Sequence, residues 1–222
     1  MDKNKIVLFG TGAFAEVAYW YFTEDSDYEI VAFTADADYC KTETVLDLPL
    51  VPFEDLEKSF PSSEYGMHVV IGYNKLNTLR FNGYTKAKAK GYTLVNYIHS
   101  SVKIWQNNKF GDNVFIFEDN TIQPYVEFCS NIILWSGNHI GHHSKIGSHT
   151  FITSHVVVSG FVEIGEFCFF GVNSTLRDSI QIADKSIVGA GALILENTAK
   201  ESLYIGSKTQ PVAKKSTSVK RI

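Results

Sequence analysis

Five of the seven histidines of this chain fall within residues 136–160, "SGNHIGHHSKIGSHTFITSHVVVSG": His139, His142, His143, His149 and His155. Histidine does two kinds of chemistry near neutral pH. A neutral imidazole ligates a metal, and an imidazole that titrates near pH 7 moves a proton as general acid or base. Catalytic zinc needs three side chains converging on one ion at about 2.1 Å. His143, His149 and His155 are spaced by six. Whether they converge, act singly or merely decorate a scaffold depends on what a six-residue step does to the backbone.

The scaffold has two periods. Residues 1 to about 95 alternate strand and helix signals. "KIVLFG", "YEIVAFT", "MHVVIGY" and "YTLVNYI" read as four strands. "AFAEVAYWYFTED", "FEDLEKSF" and "NKLNTLRFNGYTKAKAKG" read as helices, the last closed by a C-cap glycine. This order predicts a small Rossmann-like α/β domain over residues 1–97, a parallel sheet with helices on its faces.

From Ile98 the period is six. Stepping by six from Ile98 to Ile194 meets 17 positions, and all 17 are apolar. At 45% hydrophobic composition chance gives this on the order of once in a million, so it is a repeat. A period of six fits neither an α-helix nor a plain strand. It fits a triangular solenoid over residues 98–222, in which each hexapeptide makes one flat face and one corner. The large apolar residue points inward, and a small or β-branched residue four positions later (Val114, Ser144, Thr150, Ala192) lets the chain turn. Three hexapeptides close a coil, so residues 18 apart stack. No residue is inserted between 98 and 194, so five to six coils without a protruding loop are expected. The α/β domain caps one end and the tail after Asn197 the other. In that geometry His143, His149 and His155 lie on successive faces and point apart. No metal site is predicted, and these three read as surface or subunit-interface residues.

Composition excludes other classes. The formal charge is −4 without a long basic block, which argues against a nucleic-acid partner. No apolar run approaches the roughly 18 residues of a membrane span, and the first residues read as strand rather than signal peptide. Cys40, Cys129 and Cys168 are odd in number and widely spaced. They read as free thiols in a reducing compartment, which predicts a cytoplasmic protein. Lys208, Lys214, Lys215 and Lys220 read equally as a solvated tail or as phosphate contacts.

Candidate binding residues cluster at strand ends. "GTGAFA" carries Gly10, Gly12, Ala13, Phe14 and Ala15 of a GxGxxA variant, and it opens a helix whose N-terminal amides suit phosphate. A tight strand–helix turn is the plainer reading. Asp36, Gly72 and Asn74 close the second and third strands, at the sheet edge where open α/β sheets bind ligands. The sheet has too few strand–helix units for a full NAD site. Gly171 and Gly189, in later coils, allow close backbone approach by a ligand.

The sequence resembles the bacterial left-handed β-helix sugar acyltransferases, of the sialic acid O-acetyltransferase and the bacillosamine and perosamine N-acetyltransferase types. The resemblance rests on "VLFGTGAFAE", "VAFTAD", "VVIGYN" with Arg80, "GHHSKIG", "FFGVNS" and "IVGAGALI" in this order. It implies a nucleotide-sugar site in the first domain, acetyl-coenzyme A on the β-helix, and a homotrimer with active sites between subunits. His142 stands at the position of the family's catalytic histidine and is expected to be the general base, with His139 as runner-up. Coenzyme contacts are implied at Phe151, Gly160, Gly171, Val172, Gly189 and Ala190. Where close members carry an acid after the base, this chain has His143, which is expected not to orient His142. Either a carboxylate from elsewhere, such as the neighbouring subunit, orients His142, or no residue does. The implied activity is acetyl transfer to the amino group of a nucleotide-linked amino sugar. O-acetylation of a sugar hydroxyl and non-catalytic nucleotide-sugar binding are the alternatives.

Overall fold

The apolar run IVLF forms the buried end of β1 (Asn4–Phe9). Helix α1 (Ala13–Glu24) buries Ala15, Ala18 and Phe22, one stripe at helical spacing. β2 (Tyr28–Ala35) pairs in parallel with β1. A hairpin that the strand–helix alternation does not anticipate follows, β3 (Thr44–Val45) and β4 (Leu48–Pro52), turning through Leu46 and Asp47 with φ of 48° and 63°. β5 (Gly66–Val69) pairs with the other side of β1, so the order is β3-β4-β2-β1-β5. The strand order therefore reverses at β1, with β2 and β4 added on one side and β5 on the other, and such a switch point is where open parallel sheets bind ligands. The computed structural model describes residues 4–213 and 215–218, so Lys214 and Lys220 of the basic tail lie outside the described residues.

Three local expectations are corrected. The fourth strand does not join this sheet. Leu94 makes a single bridge to Met67, and Tyr97–Ile98 pairs instead with Phe115–Ile116 as the first rung of the solenoid. The helix expected from Asn74 begins only at α2 (Thr78–Ala89), because Lys75, Leu76 and Asn77 all take left-handed φ of 51°, 50° and 63°. "FEDLEKSF" makes one 3-10 turn, Leu56–Lys58.

From Lys109 to Ile194 each hexapeptide contributes one two-residue strand, paired in parallel with the strand 18 residues on, as Ile133 with Phe151 and His139 with Val157. The result is a three-faced parallel β-helix. Its first face runs from Tyr97–Ile98 through Phe151–Ile152 to Leu203–Tyr204. The second holds Thr121–Ile122 to Leu193–Ile194, and the third Lys109–Phe110 to Gln181–Ile182. All 14 six-spaced residues from Ile116 to Ile194 are buried, with Ile98 and Phe110 packed against them. Ile104 departs from the pattern: it is 40% exposed and makes no strand. The first coil is irregular there, and Trp105 Nε1–H closes it on Ile122 O at 3.0 Å.

The turning residue is also corrected. It is the third after the inward residue, not the small residue at the fourth. Fourteen successive corners, from Asn113 to Gly191, carry φ between 54° and 73°, a region non-glycine residues seldom visit. The small residue one step later fills the inside of the corner, as Val114, Ser144 and Thr150 do.

The α/β domain covers the first face. Outward residues there are apolar (Phe115, Ile133, Phe151), and they share one core with Ile6, Leu8 and Phe22. Each buried Phe in that seam contributes roughly 2 kcal/mol. Arg80 of α2, fully buried, pins the seam. It donates to the carbonyls of His149 (2.9 Å), Thr150 (3.2 Å) and Gly72 (3.2 Å). Burial pulls its guanidinium down to about 9, which leaves it charged at neutral pH.

Candidate active site

His142 and His143 occupy the corner between the second and third faces. This vertex is opposite the first face and hence opposite the α/β domain. Both side chains are exposed. The His142 backbone N–H donates to Gln123 Oε1 at 2.9 Å, which seats the residue on the preceding coil. Its ring stands edge-on to Phe161 (5.0 Å, 90°) and His143 (5.3 Å, 88°), with the two Nδ1 atoms 3.1 Å apart. Gly160 lies beside the ring in the next coil. A Cβ there would come within 2.9 Å of Cε1 and 3.0 Å of Nε2 of His142. Gly160 thus makes room for the imidazole, whatever it offers a coenzyme. His143 is stacked between Tyr125 (4.5 Å, 19°) and Phe161 (4.9 Å, 15°), each 18 residues away. Among the described residues the one histidine within 4.0 Å of a carboxylate is His99, beside Asp25. An exposed imidazole of this kind can take a proton from an incoming nucleophile.

A second site forms at the carboxyl ends of β1, β2 and β5. A cleft of 560 Å³ gathers Gly10, Gly12, Ala13, Phe14, Asp36, Gly72 and Asn74, all seven residues expected at a substrate site. Gly10 is required by the close approach of β1 and β5: its φ is 150°, and a Cβ would lie 2.7 Å from Val70 O. Gly12 caps α1 without a side-chain hydrogen bond, which leaves the helix's first N–H groups for a ligand or water. The cleft also contains Tyr39, Tyr73 and Lys86, which sequence reasoning missed. Lys86 Nζ donates to both oxygens of Asp36 at 2.7 Å. A ligand reaching Asp36 meets an ion pair, not a bare carboxylate. No periodicity marks Lys86. Only the packing of α2 against β5 brings it there.

The remaining expected residues separate. His149 is not a surface side chain: it is buried at the corner under α2, against Phe81 (4.8 Å) and Phe167 (4.7 Å). Asn131 Nδ2 donates to its Nδ1 at 2.9 Å. Burial, with the nearby Arg80 charge, pushes its pKa down to about 4. Phe151 is likewise corrected as a coenzyme contact. It is 2% exposed and wedged between Tyr73 (5.0 Å) and Phe169 (5.8 Å), inside the domain seam. His139 faces outward on the second face, between Thr121 and Val157. Gly171, Val172, Gly189 and Ala190 gather at the corner between the first and second faces, away from His142. A Cβ on Gly171 would lie 2.5 Å from Ala190 N, and one on Gly189 2.9 Å from Tyr204 O, so coil stacking alone requires both glycines. Val172 beside them is 43% exposed. Among the described residues no group of three or more His, Cys, Asp or Glu side chains is placed to hold a metal ion, and no helix is long and apolar enough to cross a membrane.

The description of the hexapeptide repeat of succinyl-transferase matches residues 161–196. Solved structures match nearly the whole chain. Perosamine N-acetyltransferase from Caulobacter crescentus, in a histidine-to-asparagine variant with CoA and GDP-perosamine, is 25% identical with a TM-score of 0.81, over 91% of this chain and 94% of that one. The acetyltransferase domain of PglB from Neisseria gonorrhoeae FA1090, in complex with acetyl coenzyme A, is 18% identical with a TM-score of 0.82, over 95% and 100%. WeeI from Acinetobacter baumannii AYE is 16% identical with a TM-score of 0.69, over 91% and 97%. By its corner repeat, its α/β domain on the first face and these likenesses, the chain is similar in fold to the bacterial sugar N-acetyltransferases of the hexapeptide-repeat type.

Proposed function

We propose that the protein transfers the acetyl group of acetyl-coenzyme A to the amino group of a nucleotide-linked amino sugar, with His142 as general base. The observation that carries this reading is the exposed His142 ring at an open corner, with Gly160 clearing its Nε2 edge. The sugar amine attacks the thioester carbonyl, and Nε2 of His142 takes the proton that the amine loses. The tetrahedral adduct collapses, the C–S bond breaks, and the proton passes to the departing thiolate of coenzyme A.

The acceptor's nucleotide fits the α/β cleft. Helix α1 presents its N-terminus there, and Lys86 supplies a cation for phosphate. The perosamine enzyme bound to CoA and GDP-perosamine supports this substrate class. The cleft and His142 lie on opposite sides of one triangle, so one chain does not assemble the site alone. A homotrimer resolves this, setting the His142 corner of one subunit against the Gly171–Ala190 corner of the next. The apolar outer surface of the second face supports it: Val157 is 38% and Leu193 61% exposed, beside Tyr125 at 56% and Phe161 at 53%. Free cysteines suit a reducing, cytoplasmic setting.

The test is acetyl-coenzyme A turnover against a panel of nucleotide-linked amino and hydroxy sugars. Amino sugars are expected to react. Reaction with hydroxy sugars alone replaces N- by O-acetylation, and binding without turnover leaves a nucleotide-sugar-binding protein. Asp36→Ala should weaken acceptor affinity about fivefold, the worth of one hydrogen bond, with coenzyme affinity kept. Calorimetry with each ligand checks it, and unchanged acceptor affinity places the acceptor outside this cleft.

A further inference from the structure

Among the described residues no carboxylate stands within 4.0 Å of the imidazole of His142. What stands there is His143, Nδ1 to Nδ1 at 3.1 Å. That is a hydrogen-bond distance, and one proton fills it. Two neutral imidazoles can fill it in two ways. If His143 donates, His142 carries its own proton on Nε2 and has no outward lone pair to accept another. If His142 donates from Nδ1, its Nε2 lone pair is free, and His143 keeps its proton on its own Nε2.

We infer that His142 donates and His143 accepts, so that His143 is the positioning residue that holds His142 in the Nδ1–H tautomer with Nε2 as the basic atom. The inference rests on His142 being the base. It departs from the expectation that His143 does not orient His142, because a neutral imidazole also accepts a hydrogen bond. When Nε2 of His142 takes the acceptor's proton, the bond from Nδ1–H to His143 becomes charge-assisted and strengthens. No proton moves to His143. The gain arises with the charge that forms during the reaction, so it lowers the barrier rather than tightening substrate binding.

The surroundings hold the pair in this geometry. His143 is fixed by its corner φ of 58° and by stacking on Tyr125 and Phe161. Gly160 and Phe161 flank His142 from the next coil, and Gln123 anchors its backbone from the preceding one.

Nitrogen-15 spectra of histidine-labelled protein read both tautomers without turnover. Nδ1–H is expected at His142 and Nε2–H at His143. His143→Phe keeps the stack and the left-handed corner, where Phe161 already sits at φ 57°, and removes the acceptor. Its kcat should fall about tenfold to a hundredfold, the worth of one hydrogen bond to a charged group, with KM values kept. His142 should move toward the Nε2–H tautomer. His143→Asn offers an amide oxygen on a residue that tolerates this corner, and should recover most of the rate. Nε2–H on His142 in the wild type, full kcat in His143→Phe, or equal losses in the Phe and Asn variants would each overturn the pairing. An active His142→Ala would overturn the base assignment beneath it, a separate failure.

Discussion

His143 and His149 occupy neighbouring corners of one repeat, with nearly the same backbone (φ 58° and 64°), and differ in everything else. His143 is exposed and lies flat between two exposed aromatic rings. His149 is roofed by α2, accepts a hydrogen bond from Asn131, and has its pKa driven down to about 4. The hexapeptide sets where a residue sits and how its backbone turns. The domain docked on the first face decides whether that residue is buried or exposed. At the covered corner an imidazole is held neutral and joins a ladder: Asn113 Nδ2 donates to Asn131 Oδ1 at 2.8 Å, and Val69 N–H to Asn113 Oδ1 at 2.7 Å. At the open corner it is left exposed to solvent.

The sharpest way to break this contrast is at the open corner. His142→Ala should lower the chemical rate by about 10² to 10⁴, the usual worth of a general base, with melting temperature and coenzyme affinity kept. Stopped-flow transfer and calorimetry measure the two halves. Near wild-type turnover in His142→Ala, or an equal loss of rate in a folded His149→Ala, would erase the distinction between the corners.

At the covered corner the loss should be one of stability. Arg80→Met removes the cation that holds the His149, Thr150 and Gly72 carbonyls and leaves them buried without that donor. It should cost about 3 kcal/mol, seen as a lower urea midpoint. Lys86→Met should cost less than about 1 kcal/mol, because the exposed pair with Asp36 is screened by water.

Much of this arrangement is legible in the sequence, and the reasons for the rest are physical. The inward residues and the 18-residue stack follow from local coil geometry, so the six-residue step finds them. Ile104 keeps the step but leaves the fold: the Trp105 backbone N–H turns to Asn108 Oδ1, and the Trp105 indole N–H takes the Ile122 carbonyl. The left-handed corners carry a partial residue signal: nine of the fourteen hold Asn, Asp, His or Gly, which visit this region more readily than other residues. Tyr125, Phe161 and Lys185 take φ of 65°, 57° and 57°, because stacking on the coils above and below outweighs their intrinsic preference. The covered face is written in the residue before each inward one. Phe115, Ile133, Phe151 and Phe169 alternate at 18-residue spacing with Lys109, Glu127, Lys145 and Glu163 on the third face. Read at period 18, that pattern identifies Phe151 as a seam residue. The Asp36–Lys86 pair and the His142–His143 contact depend on distances that no spacing encodes.

Acid separates the two corners next. His149 and the fully buried His68, whose Nδ1–H donates to Val95 O at 2.8 Å, are both depressed to about 4, mainly by burial. Their folded values lie below the unfolded value of 6.5, so the unfolded chain binds more protons between the two. The stability is whole above pH 6.5 and is lost as pH falls toward 4. At pH 5 each group should cost about 2 kcal/mol relative to pH 7. His149→Asn, which keeps an amide for Asn131 and tolerates the corner, should remove about half of that acid sensitivity. Urea midpoints at pH 7 and pH 5 measure it, and an unchanged pH dependence would mean that His149 is not held neutral by its burial.

The smallest effects come from two glycines that each face a histidine ring. A Cβ at Gly160 would press on His142 Cε1 and Nε2 at 2.9 and 3.0 Å, and one at Gly137 on His155 Cε1 and Nδ1 at 2.6 and 2.7 Å. Gly160 has no positive φ, so Gly160→Ala strains no backbone, and the ring, a side-chain end, can swing aside. The variant should stay folded and lose about tenfold in kcat, because the base is displaced by a fraction of an ångström from its working position. Gly137 holds φ at 73°. Gly137→Ala should cost about 1 kcal/mol of stability, and it leaves the His142 ring of its own chain untouched, since His155 stands at the corner between the first and second faces. The pair of variants thus exchanges readouts, rate for one and melting temperature for the other. If Gly160→Ala keeps full kcat, the Nε2 edge of His142 is not where the proton is taken.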